Sequence, residues 1–277
     1  MPDAPITVLI LSWNRPIYLW VTLDALYRYT RHPARFILID NHSDDPGVRR
    51  VIRGFERRGM FERVEWADTN SPTRAFEAMH KYRHLFGSFF VYIESDVAVF
   101  PSYPCWLGQF VGLMERHPSL AMLGSYVDGR DFIDPRHAAA FAPDLDEGTR
   151  GSLIKHDSPE RRLSMIPPKQ EIIEPDFNPP GRFMALRTEL LDAVTLDVDD
   201  ALWRNVMNAG FSAGIATGVR HRHLSLLNFW DYSDYDVAAR DRHYAEAHRY
   251  GEPPEAVPDA STSRLPPGIV DGPDVPG

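Results

Sequence analysis

The sequence predicts an α/β fold with a mostly parallel central sheet. Three observations point there. The runs "ITVLIL" (6–11), "FILID" (36–40) and the start of "FFVYIESDVAVF" (89–100) are apolar without alternation, the mark of strands covered on both faces. Segments with apolar residues at helical spacing separate them. Three strand ends then turn polar: Ser12 to Arg15, Asp40 to Asp45, and Glu94 with Asp96. Alternating strands and helices give a parallel sheet, and such sheets bind ligands at the carboxyl ends of their strands.

The elements follow in order. After strand 6–11, Pro16 suits a first helical turn, and Leu19, Leu23, Leu26 and Tyr27 continue at helical spacing. Strand 36–40 ends in "DNHSDDPG". Val48, Val51, Ile52 and Phe55 mark the next helix, closed by Gly59. Its basic run "RRVIRGFERRG" reads as a solvated helix face. "RVEW" (63–66) is a short strand. Ser71 and Pro72 open a helix with Phe76, Met79, Arg83 and Phe86 on one side, and Gly87 closes it. Residues 89–100 form one further strand, interrupted by two carboxylates that are costly to bury unpaired.

Residues 128–182 are rich in Pro, Asp and Arg without clear periodicity. They predict long loops with short helices, and such loops in a compact domain are functional or disordered. Regular structure resumes at "FMALRTELL" and "DDALWRNVMNAGF". From Glu252 the chain is Pro-rich without aromatics, which predicts a tail, 252–277, that is disordered or loosely docked.

Composition sets bounds. The 277 residues are 43% hydrophobic and 12% aromatic, with a net charge of −9. A globular chain follows, and broad nucleic-acid binding is disfavoured. No run of about 18 apolar residues suggests a membrane span. "MPDAPITVLILSW" reads as a first strand rather than a signal peptide. With Cys105 as the sole cysteine, neither an intrachain disulfide nor a cysteine zinc cage is possible. A cytoplasmic enzyme is the expectation.

Four motifs in order carry a resemblance. "VLILSWNRPIYLWVTLDAL" with "FILIDNHSDDP", then "YIESDVAVF", "VDDALWRNVMNAGF" and "VRHRHLS" resemble a family-2-type glycosyltransferase with the GT-A fold, over about residues 6–225. The resemblance implies one catalytic domain over 1–251, with a Rossmann-like nucleotide-binding half (about 1–127) and a mixed acceptor-side half (128–251). It implies a donor that is a nucleoside-diphosphate sugar, with UDP the family's commonest nucleotide, and a hydroxyl acceptor. It also implies Mn²⁺ or Mg²⁺, since hard cations take oxygen ligands and neutralise a departing diphosphate.

Residue by residue, "YIESDVAVF" sits where the family places its metal motif. This makes Asp96 the first metal ligand and puts Glu94 at the ribose or behind the metal. The family usually has Asp where this chain has Glu94. Ser12, Asn14, Arg15, Asp40, Asn70, Arg74, Glu94 and Ser95 fall on the nucleotide side. In a strand, His221 and His223 share a face and the neighbouring arginines take the other. One of the two histidines completes the metal site through a ring nitrogen, with His221 preferred. Asp199 aligns with the catalytic aspartate, the base for an inverting transfer. Gly181, Arg182, Asp200 and Trp203 border the sugar or acceptor, and the aromatics of "NFWDYSDYD" are candidates for sugar stacking. Each motif also has a plainer reading: a helix cap for "SWNRP", a polar turn and cap for "DNHSDDP", and a helix-dipole match for Asp199 and Asp200. Rival functions are a sugar-1-phosphate nucleotidyltransferase, although "SWNRPIYL" lacks that class's glycine-rich loop, and a non-catalytic sugar-nucleotide or glycan-binding protein. A two-carboxylate glycosidase, which needs no metal, is a third.

Overall fold

A computed structural model describes residues 4–179, 181–197 and 199–224. The tail 252–277 and "NFWDYSDYD" lie outside the described residues. Strands β1 (Ile6–Ser12), β2 (Ala34–Asp40), β3 (Phe61–Trp66) and β4 (Phe89–Glu94) alternate with helices α1 (Pro16–Tyr29), α2 (Pro46–Glu56) and α3 (Arg74–Tyr82). Then come β5 (Val97–Val99), α4 (Trp106–Arg116) and β6 (Leu120–Val127). Short helices α5 (Pro135–Phe141), α6 (Glu147–Leu153) and α7 (Pro159–Ser164) fill the Pro-rich region, as its lack of periodicity predicts. The chain continues through β7 (Ile172–Ile173), β8 (Phe183–Arg187), α8 (Leu190–Ala193), α9 (Asp199–Asn208) and β9 (Ser212–His223).

One sheet runs β3-β2-β1-β4-β8-β6-β9-β5, with β7 beside β9. The strands β3, β2, β1 and β4 are mutually parallel. Strand β8 runs antiparallel to both neighbours, β4 and β6, and β5 runs antiparallel to β9. The sheet is thus parallel in the first half of the chain and mixed in the second.

Successive side chains of a strand face opposite ways, and both faces are covered. Val8, Ile10, Phe36, Leu38, Phe89, Val91 and Ile93 join the core under α1, α2 and α4. Leu9, Ile37, Ile39, Phe90 and Tyr92 join the core under α3, α8 and α9. This double burial explains the unbroken apolar runs. The arginines of α2 stay at the surface while Val48, Ile52 and Phe55 face inward.

Two local expectations are corrected. Residues 89–100 are two strands: β4 ends at Glu94 and β5 begins at Val97, on opposite sides of β8, β6 and β9. Ser95 and Asp96 make the turn, because two carboxylates in an apolar run cannot continue into the core. Helix α3 begins at Arg74, past Ser71 and Pro72, and buries Ala75, Ala78, Met79 and Tyr82. Arg83 is not on that buried face; its guanidinium pairs with Asp192.

Candidate active site

The strand register assembles the site. Ser12 at the end of β1 is level with Asp40 at the end of β2, and Leu11 is level with Glu94 of β4. The three polar strand ends therefore share one edge of the sheet.

Asp40 is buried and satisfied within the chain. Its Oδ2 accepts from Ser43 N at 2.9 Å and its Oδ1 from Ser43 Oγ at 2.6 Å. Burial pushes its carboxyl pKa up, against the Ser43 hydrogen bonds and the nearby Arg49 charge. Ser43 Oγ also accepts from Asn14 N at 2.8 Å. Asn14 Oδ1 accepts from Asp44 N at 3.1 Å and Asp45 N at 3.2 Å. Asn14 thus fastens the loop after β1 to the loop after β2. Asp45 of "DNHSDDP" caps α2, accepting from Gly47 N at 2.7 Å, whereas Arg15 of "SWNRP", at the N-terminus of α1, makes no side-chain cap.

That fastening holds a strained pair. Asn14 and Arg15 have φ of 50° and 55°. Asn tolerates this left-handed region; for Arg it costs about 1–2 kcal/mol. The conformation sends the Arg15 guanidinium toward Asp96, with Nη1 3.8 Å from Oδ2. Strain of this kind persists where the surroundings fix it, and it concentrates at functional sites.

Asn41, next to Asp40, ties in the following loop. Its Nδ2 donates to Asn70 Oδ1 at 2.6 Å and Ser71 O at 2.9 Å, and its Oδ1 accepts from Ser71 N at 3.0 Å. Arg74 reaches the same Oδ1 at 3.3 Å and Thr69 O at 2.9 Å. Asn70 and Arg74 thus border the Asp40 end of the edge.

Asp96 stands at the centre. Ser95 O accepts from Thr22 Oγ1 at 2.8 Å and Asp96 O from Leu224 N at 2.8 Å, which fixes the turn between α1 and β9. Asp96 Oδ2 lies 3.4 Å from His223 Nε2. Its Oδ1 is buried and accepts no hydrogen bond among the described residues. Burial alone raises the Asp96 pKa, but His223, Arg182 and Arg15 outweigh it and hold the carboxyl well below the usual carboxylate range.

The two histidines share a face of β9. His223 is level with Val97 and His221 with Val99; both are buried, while Arg220 is exposed and Arg222 half-buried. The structure brings His223 rather than His221 against the Asp96 carboxylate. Ser125 Oγ donates to Phe183 O at 2.9 Å, so it accepts from His221 Nδ1, also at 2.9 Å. That fixes the His221 proton on Nδ1 and leaves a lone pair on the buried Nε2, which has no hydrogen-bond partner among the described residues. Burial, with the charges of Arg182 and His223, pushes the His221 pKa down to about 3. Asp131 holds the end of β9: Oδ2 accepts from His223 N at 2.9 Å and Oδ1 from Arg222 Nε at 2.8 Å.

The acceptor-side candidates separate. Arg182 O accepts from Glu94 N at 2.8 Å, and the Arg182 guanidinium forms a two-pronged ion pair with Glu160 of α7. Glu94, Lys155, Ser158, Pro159, Glu160, Phe177, Asn178, Pro179, Gly181 and Arg182 line a cavity of about 450 Å³ there. Trp203 packs against the core beneath α9 rather than lining that cavity. Asp199 and Asp200 open α9, and their side chains lie outside the described ones. Asp131, Lys155, Glu160 and Asn178 had no sequence signal, because long-range folding alone brings them to this edge, whereas Asn41 lies in the polar strand end "DNHSDDP".

Among the described residues no three His, Cys, Asp or Glu side chains form a ready-made metal cage. A divalent cation that binds a diphosphate does not need one. Mg²⁺ typically takes one or two carboxylates and completes its shell with phosphate oxygens and water. The orphaned Asp96 Oδ1 beside His223 fits that donor set. Among the described residues no helix is long and apolar enough to cross a membrane.

The sequence matches no protein-family model and no curated protein. Solved structures match its fold. The mannosyltransferase PcManGT from Pyrobaculum calidifontis, in complex with GDP-Man and Mn²⁺, is 18% identical with a TM-score of 0.50, covering 92% of this chain and 68% of that one. GalNAc-T7 with UDP, GalNAc and Mn²⁺ is 10% identical with a TM-score of 0.52, covering 79% and 44%. Residues 1–349 of S. aureus TarS are 13% identical with a TM-score of 0.50, covering 88% and 71%. The chain has the GT-A fold of these glycosyltransferases.

Proposed function

We propose that this GT-A chain is a metal-dependent, inverting glycosyltransferase that uses a nucleoside-diphosphate sugar, with UDP as the nucleotide. The observation that carries the reading is Asp96. It is an ionised, buried carboxylate whose Oδ1 accepts no hydrogen bond among the described residues, set against His223 at the carboxyl edge of the sheet. Arg15, Arg182 and His223 already offset its charge; what supports a cation is the remaining acceptor oxygen, of the kind hard divalent ions take.

In this reading Asp96 and His223 hold Mn²⁺ or Mg²⁺, which as a Lewis acid neutralises the diphosphate leaving group. Arg15, poised 3.8 Å from Asp96, turns its guanidinium to the diphosphate. Glu94 takes the ribose. Asp40, both oxygens bound to Ser43, shapes the nucleotide floor by fixing the loop that carries Asn14 and Arg15. Ser12 and Ser95 complete that floor, and Asn70 and Arg74 border the base. Asp199 takes the proton from the acceptor hydroxyl as its oxygen attacks the anomeric carbon and the bond to the diphosphate breaks. Gly181 and Arg182 border the acceptor, and Asp200 lies beside the base. Trp203, packed on the core, serves stability.

The test is donor turnover. The chain is incubated with a panel of UDP- and GDP-sugars, with Mn²⁺ or with a chelator, and released nucleoside diphosphate is measured. Release from at least one donor that the chelator abolishes supports the reading. No release from any donor, or release indifferent to the chelator, contradicts it.

A further inference from the structure

The cavity beside Glu94 has a chemistry that narrows the acceptor. Its volume, about 450 Å³, falls within the roughly 300–1,000 Å³ of small-molecule sites. Two anions, Glu94 and Glu160, and two cations, Lys155 and Arg182, face it, so its wall is balanced in charge. Arg182 is already engaged by Glu160 through both arms of its guanidinium. Lys155 lies close enough to the Glu160 carboxylate to help lower its pKa. An anionic ligand would have to take these cations from Glu160 and leave that carboxylate buried beside it, an expensive exchange. A cationic ligand would meet Arg182 in the same way.

Neutral polar groups remain. Ser158 supplies a hydroxyl to the lining. Asn178, in the same wall, has a buried side-chain Oδ1 that accepts no hydrogen bond among the described residues. Leaving a buried amide oxygen unpaired is costly, and a ligand hydroxyl met by a turn of the Asn178 amide toward the cavity removes that cost. An amide suits a hydroxyl in either orientation, since it both donates and accepts.

We infer that this cavity is the acceptor subsite and that it takes an uncharged, polyhydroxylated group, a neutral sugar, with Asn178 as its specificity-determining residue. The inference rests on the glycosyltransferase reading for the word acceptor, but the binding it predicts is measurable without turnover. Glu94, one residue of the lining, also ends β4 two residues before Asp96, so a sugar seated there lies beside the proposed donor site. Charged acceptors such as sugar phosphates, uronates or phosphorylated acids are disfavoured by the same wall.

The experiment is saturation-transfer NMR on the full chain. The probes are a set of neutral methyl glycosides and a matched set of sugar phosphates and methyl uronosides. The expected result is transfer to at least one neutral glycoside and to no anionic probe. Asn178→Leu, of similar volume, should reduce that transfer at least five-fold, as should Asn178→Ala, while both variants keep a cooperative melting transition. Transfer to anionic probes alone, to none of the probes, or undiminished in both folded variants would overturn the inference. The outcomes separate from those of donor turnover. Neutral-sugar binding without metal-dependent donor cleavage leaves this subsite standing as a glycan site and removes the glycosyltransferase reading. Donor cleavage without neutral-sugar binding does the reverse.

Discussion

His223 Nε2 lies 3.4 Å from Asp96 Oδ2, although the two residues belong to β9 and to the turn before β5. The antiparallel pairing of β5 with β9 sets this distance by placing His223 level with Val97. Asp131 then pins the same strand end through His223 N. The proposed metal site therefore depends on a residue that touches no ligand.

Asp131→Ala should show that dependence. Residues that orient metal ligands typically contribute 10–100-fold to affinity. We expect the Mn²⁺ dissociation constant, measured by electron paramagnetic resonance with UDP present, to rise within that range. Loss of an acceptor for a buried N–H should also lower stability by about 1–3 kcal/mol. A stability loss with unchanged Mn²⁺ affinity would reduce Asp131 to a structural residue.

Arg15 should report on the diphosphate. Arg15→Gly relieves a left-handed residue whose strain costs about 1–2 kcal/mol, and it removes a cation from Asp96. The variant should hold its melting temperature or gain, while binding UDP at least ten-fold more weakly in calorimetry. Uridine, which lacks the diphosphate, should not discriminate between variant and wild type. Equal UDP affinity would place Arg15 outside the donor site.

Much of the parallel part of the sheet was legible in the sequence because its strands are buried on both faces and carry their pattern locally. "ITVLIL" and "FILID" fall within β1 and β2. The break inside "FFVYIESDVAVF" was visible only as two misplaced carboxylates, since the partners of β5 come from β9. The choice between His221 and His223 was not legible: both share a face, and the register alone decides which meets Asp96. Asn178 and Glu160 gave no sign, because they sit in a region without periodicity and gain meaning only from the cavity they share with Glu94 and Arg182.

The Glu160–Arg182 pair predicts a pH dependence. Burial disfavours the Glu160 carboxylate, but Arg182, with His223 and Lys155, lowers its pKa from 4.5 to about 2. A carboxyl depressed on folding contributes stability above its unfolded pKa and loses it as pH falls through the folded value. Wild type should therefore lose this contribution between about pH 4.5 and 2. Glu160→Gln should be less stable at pH 7 by about 3 kcal/mol, with the gap closing over the same window. Denaturant melts at pH 7, 4.5, 3 and 2 check this; a gap that stays constant down to pH 2 contradicts it.

The proposed base is testable against its neighbour. Asp199→Asn should lower transfer by roughly 10²–10⁴-fold with donor binding intact. Asp200→Asn, at the same helix start, should change stability by about 0.3–1 kcal/mol and leave most transfer. Product anomeric configuration, read by NMR, should be inverted. Near-normal transfer by Asp199→Asn, or a retained configuration, contradicts the assignment.

Asp96 is proposed to bind a divalent cation and, through it, a nucleoside diphosphate. Thermal unfolding of wild type and Asp96→Ala with UDP, in Mn²⁺ or in a chelator, tests it most directly. At 100 times its dissociation constant a ligand adds about 2.7 kcal/mol. UDP should raise the wild-type melting temperature more in Mn²⁺ than in chelator, and Asp96→Ala should abolish this metal-dependent part. A UDP shift of equal size in chelator, or a metal-dependent shift that survives in Asp96→Ala, would contradict it.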